Sequence, residues 1–332
     1  MGIRITGLGR AQGSQVLTNA DLEARLDTSD EWIRTRTGIS ERRIVADGET
    51  TATMSADAAR DALKKSGRED VDLTIVATTT PESPLPSTAS WVQAELGLGG
   101  GAFDLQAACS GWVYAVVVAS GLIDTGVVES VLVIGAESLS TILNFADRST
   151  APLFGDAAGA AVIEACEGPG DMLACDIGND GDLIPLLWIP AGGSREQLTA
   201  ETLGTRDKIT MNGPEVFRAA TRVVVETCEK TLEAAGLGPD DIDLFVPHQA
   251  NARIISYASE KLGIPAERTV VNIDRYGNTS AASIPVALSE VVDGTLDAAG
   301  AAPRIEPGSK VLVAGFGAGM SWASAVFDWS LT

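Results

Sequence analysis

Cys109, His248 and Asn278 have the side-chain types needed for covalent acyl chemistry. Cys109 stands in Ala107-Ala-Cys-Ser-Gly111, where a short strand, Phe103 to Leu105, gives way to an apolar helix starting near Gly111. A thiol at such a junction meets the unpaired N–H groups and positive dipole end of the helix, which favour the thiolate. The small neighbours leave the sulfur open to a substrate, although the same window also fits a small buried apolar cysteine. His248, the single histidine, follows a strand Asp243 to Pro247, in Pro247-His-Gln-Ala-Asn251. Asn278 lies in a small-residue turn before a helix, in Gly277-Asn-Thr-Ser-Ala-Ala-Ser-Ile-Pro285, where Asn is also simply a good turn former. Together the three types serve two chemistries. In a protease, His deprotonates Cys and Asn orients His. In a condensing enzyme, Cys carries an acyl group while neutral His and Asn donate to an enolate oxygen.

The elements that must position them alternate between strand and helix. Strands are expected at Gly2 to Gly9, Asp72 to Ala77, Ser130 to Gly135, Gly159 to Glu164, Asp243 to Pro247, Lys310 to Gly315 and Trp322 to Trp329. Helices are expected at Asp30 to Thr35, opened by a capping-box pattern Thr28-Ser-Asp-Glu31, and at Ser55 to Lys65. Others run up to Leu96, from Met211 to Ala235, from Asn251 to Leu262 and from Ile284 to Leu296. Trp32 and Arg36, four apart, share a helix face and read either as packing or as a stacking plate and phosphate clamp. Pro185 to Met211 is irregular, as functional loops often are.

The order repeats. A helix to Ser66 followed by Asp70-Val-Asp-Leu-Thr-Ile-Val is echoed by a helix to Ala235 followed by Asp241-Ile-Asp-Leu-Phe-Val. Leu96-Gly97 is answered by Leu262-Gly263, and Val131-Leu-Val-Ile-Gly135 by Val311-Leu-Val-Ala-Gly315. Two similar α/β halves with largely parallel sheets follow, residues 1–170 carrying Cys109 and 171–332 carrying His248 and Asn278. A ligand site is expected between them, near the carboxyl ends of strands.

Composition bounds the partners. With 45% hydrophobic residues the chain reads as a packed globular protein. Its formal charge of −21 argues against general affinity for nucleic acid or anionic membranes, so any local gathering of arginines gains significance. The apolar run around Val113 to Ala119 is too short to span a bilayer. Cys109, Cys166, Cys175 and Cys228 show no Cys-x-x-Cys spacing, which with no signal-like N-terminus points to reduced thiols in a cytoplasm.

Ala107-Ala-Cys-Ser-Gly111, His248-Gln-Ala-Asn251 and Gly277-Asn-Thr-Ser280 resemble the three active-site motifs of the β-ketoacyl-[acyl-carrier-protein] synthase III family, in the thiolase superfamily. Thr28-Ser-Asp-Glu-Trp-Ile-Arg-Thr-Arg-Thr-Gly38 with Arg42-Arg43, Phe154-Gly-Asp-Ala-Ala-Gly159 and Gly315-Phe-Gly-Ala-Gly319 match as well, so the likeness runs from about Ile3 to Trp329. It implies an α/β fold of the thiolase-like, five-layered α-β-α-β-α kind, built from two duplicated halves and assembled as a homodimer. It also implies a reaction. Acyl-CoA, a substrate rather than a cofactor, acylates Cys109, with the backbone N–H groups of Cys109 and Ala318 as oxyanion hole. Relatives usually carry Gly at the latter position; Ala still offers its N–H. Malonyl-ACP then loses CO2 while His248 and Asn278 hydrogen-bond the enolate oxygen, and the carbanion takes the acyl group.

The same resemblance implies that Trp32 stacks on the CoA adenine with Arg148 on its other face. Thr28 and Arg36 would contact the nucleotide, and Gly213, Phe217 and Asn251 would flank the pantetheine arm. Arg218, Arg253 and Lys261 match positions that dock the acidic carrier protein, while Glu260 stands where a base is expected. Leu85 matches a position that caps the acyl pocket from the partner subunit and that some relatives restrict with Phe; Leu is expected to admit a primer longer or more branched than acetyl. The loop Ala191 to Arg206 is expected to border the same pocket. No metal, nucleic acid or membrane insertion is expected. The competing readings are a related acyltransferase of a specialised biosynthetic pathway, and a cysteine hydrolase or a non-catalytic member of the fold.

Overall fold

The computed structural model describes residues 2–168, 170–296 and 304–331. Runs of β-branched and small apolar residues form strands buried along their whole length, as at Leu73–Ala77 and Ser130–Ser138. Strands covered on both faces need no polar alternation.

One five-stranded sheet orders Gly2–Gln12, Asp156–Cys166, Ser130–Ser138, Leu73–Ala77 and Gly101–Leu105. A four-stranded sheet orders Leu244–Pro247, Lys310–Gly317, Ser321–Asp328 and Met172–Asn179. The two are built alike. In the first, Leu73–Ala77 pairs parallel with Ser130–Ser138, which meets Asp156–Cys166 and then Gly2–Gln12 antiparallel. In the second, Leu244–Pro247 pairs parallel with Lys310–Gly317, which meets Ser321–Asp328 and then Met172–Asn179 antiparallel. The counterpart of the fifth strand is reduced to a parallel bridge between Phe245 and Thr269. Met172–Asn179, the counterpart of the opening strand, was not anticipated. It is an edge strand whose residues alternate between half-buried and exposed, and its small and acidic residues weaken the strand pattern.

Helices Thr51–Ser66 and Thr88–Leu96 cover the outer face of the first sheet. Gly111–Asp124 and Ser283–Val292 fill the space between the sheets, where Trp112, Val116, Ile284 and Leu288 join strand residues of both sheets in one core. Gly213–Ala235 and Ala252–Leu262 cover the outer face of the second sheet. The result is the five-layered α-β-α-β-α arrangement.

Two close approaches fix the site. A Cβ on Gly135 would stand 2.2 Å from the Ala281 carbonyl, so glycine lets the Asn278–Ser283 segment lie directly on the first sheet. A Cβ on Gly317 would stand 2.5 Å from the Cys109 nitrogen, so glycine lets the end of Lys310–Gly317 press against the cysteine turn.

Candidate active site

Cys109 sits in the 3-10 turn Ala108–Ser110, which runs directly into the helix Gly111–Asp124. Ala108 has φ +47°, a left-handed strain for a residue with a Cβ. The turn is clamped from behind: the Ser110 hydroxyl donates to Ala107 O (2.7 Å), and the Ser321 hydroxyl donates to the same carbonyl (2.9 Å). The thiolate expected at the helix N-terminus is not the resting form. Burial pushes the Cys109 thiol up to about 12; the nearby Ser280 hydroxyl pulls it down and the Glu137 carboxylate pushes it further up. Desolvation is the largest of these influences on the thiol.

His248 continues the strand Leu244–Pro247, its N–H donating to Ala314 O at 2.7 Å. The ring is buried, with Phe316 edge-on at 5.5 Å. Burial lowers its pKa to about 3, so the imidazole is neutral at neutral pH. Nδ1 lies 2.7 Å from the Ser283 hydroxyl, whose oxygen also accepts from Gln249 N–H at 3.3 Å. The hydroxyl has no other acceptor among the described residues, so its proton is assigned to Nδ1 and the ring proton to Nε2. Nε2 is buried and has no partner among the described residues. The residue lines the larger of two cavities at the site.

Asn278 is buried, its backbone paired with Leu153 O (2.8 Å) and Gly155 N–H (3.0 Å). Its Oδ1 accepts from Ser280 N–H at 2.9 Å, which fixes the amide and leaves Nδ2 as donor to the cavity it lines. Ser280 is left-handed too, at φ +50°, and Met320 likewise at +49°. All three strained residues of the described chain thus lie within two residues of Cys109, Asn278 or Ala318.

The larger cavity, about 540 Å3, runs from the exposed Arg36, Arg218 and Arg253 to the buried Cys109, His248 and Asn278. The smaller, about 270 Å3, continues past Cys109 between Ile142, Ile209, Trp188 and Ala318. Cys109 borders both.

Comparison with known proteins agrees with this geometry. The family described as 3-oxoacyl-[acyl-carrier-protein (ACP)] synthase III matches residues 103–181, and its C-terminal counterpart matches residues 232–329. A relative from Symbiobacterium thermophilum, named beta-ketoacyl-[acyl-carrier-protein] synthase III, is 49% identical over 98% of this chain and 98% of its own. The chain belongs to the β-ketoacyl-[acyl-carrier-protein] synthase III family. The solved synthase III of Thermus thermophilus superposes with a TM-score of 0.90 at 46% identity, covering 99% of this chain and 100% of that one. That of Aquifex aeolicus gives 0.88 at 44% identity, covering 98% and 99%. The thiolase-like fold read from the sequence is thereby established.

Within this synthase III, Trp32, Arg36, Gly213, Phe217, Asn251, Arg218 and Arg253 all line the larger cavity. Arg148 does not line it but lies over the Trp32 ring at 4.8 Å and is paired to Asp27 at 3.7 Å. Ser29, rather than Thr28, caps the helix Asp30–Thr37 by accepting from Trp32 N–H at 3.1 Å. The Thr28 hydroxyl is left covered and without a partner among the described residues. The Asn251 amide is committed to the protein: Nδ2 donates to Arg36 O (3.0 Å) and Oδ1 caps the helix Ala252–Leu262. Arg253 covers Phe217 at 5.1 Å and Arg218 pairs with Glu215. Lys261 stands over Tyr257, about 12 Å along the helix from Arg253 and outside the cavity wall. Leu85 is 87% exposed and lines neither cavity of its own chain.

The loop 191–206 also departs from expectation, since none of its residues lines either cavity. It closes on itself through Ala191 N–H to Arg206 O (2.9 Å) and an Arg206–Glu196 pair at 2.6 Å. Its flanks, the paired Leu187–Trp188 and Thr210–Met211, reach the cavities instead. Sequence reasoning missed Ser283, Ser280 and Glu137. The third carried a signal, an acid inside the otherwise uncharged strand Ser130–Ser138.

Proposed function

We propose that this chain is a priming condensing enzyme in which Cys109 receives an acyl group from acyl-CoA and passes it to a carbanion derived from malonyl-ACP. The observation that carries the reading is the free Nε2–H of a neutral, buried His248 on the wall of the cavity that ends at Cys109. A hydrolase needs His beside Cys as a base; burial to a pKa of about 3 suits this ring to donate and not to accept.

In this reading CoA lies with its adenine between Trp32 and a displaced Arg148, its nucleotide near Thr28 and Arg36, and its pantetheine arm past Gly213, Phe217 and Asn251. Cys109 attacks the thioester, whose oxygen is held by the N–H groups of Cys109 and Ala318. The acyl chain occupies the smaller cavity, and CoA departs. Malonyl-ACP docks on Arg218 and Arg253, with Lys261 as an outlying contact, and extends the same arm to the site. As CO2 leaves, charge grows on the thioester oxygen. Nε2–H of His248 and Nδ2–H of Asn278 stabilise it, each by about 3 kcal/mol where the donors are preorganised and dry. The carbanion attacks the Cys109 thioester and releases β-ketoacyl-ACP. No metal or organic cofactor takes part. The halves 1–170 and 171–332 contribute nucleophile and donors respectively. The protein works as a cytoplasmic homodimer in which Leu85 caps the partner's acyl cavity.

Incubation with a panel of acyl-CoAs should add one acyl mass to the protein, absent in Cys109→Ala. A strict acetyl preference would remove the role given to Leu85. An unmodified protein across the panel would sink the acyl-carrier reading.

A further inference from the structure

Behind Cys109 lies a polar cluster that the steps above leave idle. Glu137 is fully buried. Its Oε2 accepts from the hydroxyls of Thr79 (2.9 Å) and Thr80 (2.8 Å), with that of Thr78 at 3.5 Å. The Thr79 N–H points at both oxygens, at 3.2 and 3.1 Å. Oε1 accepts from the Ser280 hydroxyl at 3.0 Å. These are donors for a carboxylate, supplied with no ion pair to Glu137 among the described residues. Burial pushes this carboxyl up, and the hydroxyls and amide pull it back.

Ser280 and Cys109 line the same smaller cavity, and the Ser280 hydroxyl draws the thiol's pKa down. Ser280, held in a left-handed conformation and hydrogen-bonded to Glu137, thus links the carboxylate to the cavity wall that carries Cys109. Cys109 is the titratable group that faces Glu137; its other polar neighbours are the Thr78–Thr80 hydroxyls, one amide and Ser280. His248 is a poor alternative acceptor, because Nδ1 is held by Ser283 and Nε2 already carries the proton.

We propose that Glu137, acting through Ser280, takes the Cys109 proton during acyl loading and returns it during condensation. As Cys109 sulfur bonds to the acyl carbon, the thiol proton moves to the Ser280 oxygen and the Ser280 proton moves to Glu137 Oε1. The bond from the acyl carbon to CoA sulfur breaks, and the CoA thiolate leaves and is protonated by solvent. In condensation the malonyl carbon displaces Cys109 as thiolate, and the proton returns from Glu137 through Ser280. One solvent proton is consumed per turnover, as the loss of CO2 from a malonyl carboxylate requires. The proposal rests on the reading of Cys109 as acyl carrier.

The test is the rate of Cys109 acylation by acetyl-, butyryl- or isobutyryl-CoA, followed by quenched intact mass from pH 6.5 to 8.5. With an internal acceptor the wild-type rate is nearly flat across this range. A thiol that must first ionise to bulk water would instead load about tenfold faster per pH unit, and that slope overturns the proposal without any variant. Glu137→Gln should load at least about 100-fold more slowly at pH 7, and its deficit should narrow about tenfold per pH unit. A deficit that is the same at every pH, or wild-type rates, also refutes the relay. Ser280→Ala should reproduce the Glu137→Gln profile. Wild-type protein that takes no acyl group at any pH would count against the acyl-carrier reading itself, a result distinct from these.

Discussion

His248 is the only histidine in the chain, so its titration can be read in isolation. Burial holds its pKa at about 3 in the folded protein, against 6.5 for a free imidazole. The folded state therefore keeps the ring neutral while the unfolded chain protonates it below pH 6.5. The unfolded state then binds more protons, and stability falls with falling pH. The stabilising difference is fully present above pH 6.5 and is lost progressively down to pH 3. Between pH 7 and pH 5 the loss works out to about 2 kcal/mol, at 1.36 kcal/mol per unit. Carboxylates titrate in the same direction lower in this range, so the comparison is with His248→Gln, which keeps them and removes the imidazole. Urea unfolding of both proteins at pH 7 and pH 5 gives four stabilities. The wild type should lose about 2 kcal/mol more than the variant over that interval. Equal losses would mean that folded His248 takes up a proton readily. That would refute the neutral donor on which the enolate chemistry depends.

Asn278→Ala should leave acylation of Cys109 intact and lower malonyl-ACP decarboxylation by roughly 10²- to 10³-fold, measured as CO2 release. Trp32→Ala should raise KM for acyl-CoA with kcat nearly kept, by about 1–3 kcal/mol or roughly 5- to 150-fold, in initial-rate assays. Gly135→Ala places a Cβ 2.2 Å from Ala281 O; it should destabilise the fold by about 1–3 kcal/mol in urea and disturb the Asn278 turn in parallel.

Legibility followed the range of the forces involved. The strand and helix pattern and the internal echo Asp70–Val76 to Asp241–Val246 are local signals, and they predict the paired sheets. The types of Cys109, His248 and Asn278 are equally local, and the fold brings all three to one cavity wall. What escaped depends on burial and on pairs distant in sequence. The helix end next to Cys109 argued for a thiolate, while the surrounding packing raises its pKa to about 12. Ser283 behind His248 is 35 residues away and Glu137 behind Ser280 is 143 residues away, separations that no spacing rule connects. Thr28 fits a capping box, yet Ser29 won the cap because its hydroxyl reaches Trp32 N–H. The irregular segment Pro185 to Met211 reads as functional and its ends do reach the cavities, but within it an Arg206–Glu196 pair folds the loop 191–206 back on itself.

The central claim is that Cys109 hands its acyl group to a carbon nucleophile made by decarboxylation. Acyl-enzyme freed of acyl-CoA and mixed with malonyl-ACP tests it in one turnover, with CO2 and carrier-bound products measured together. The account predicts one CO2 and one β-ketoacyl-ACP for each acyl group lost from Cys109. Loss of the acyl group as free acid, or to another acceptor with malonyl-ACP unconsumed, would contradict it.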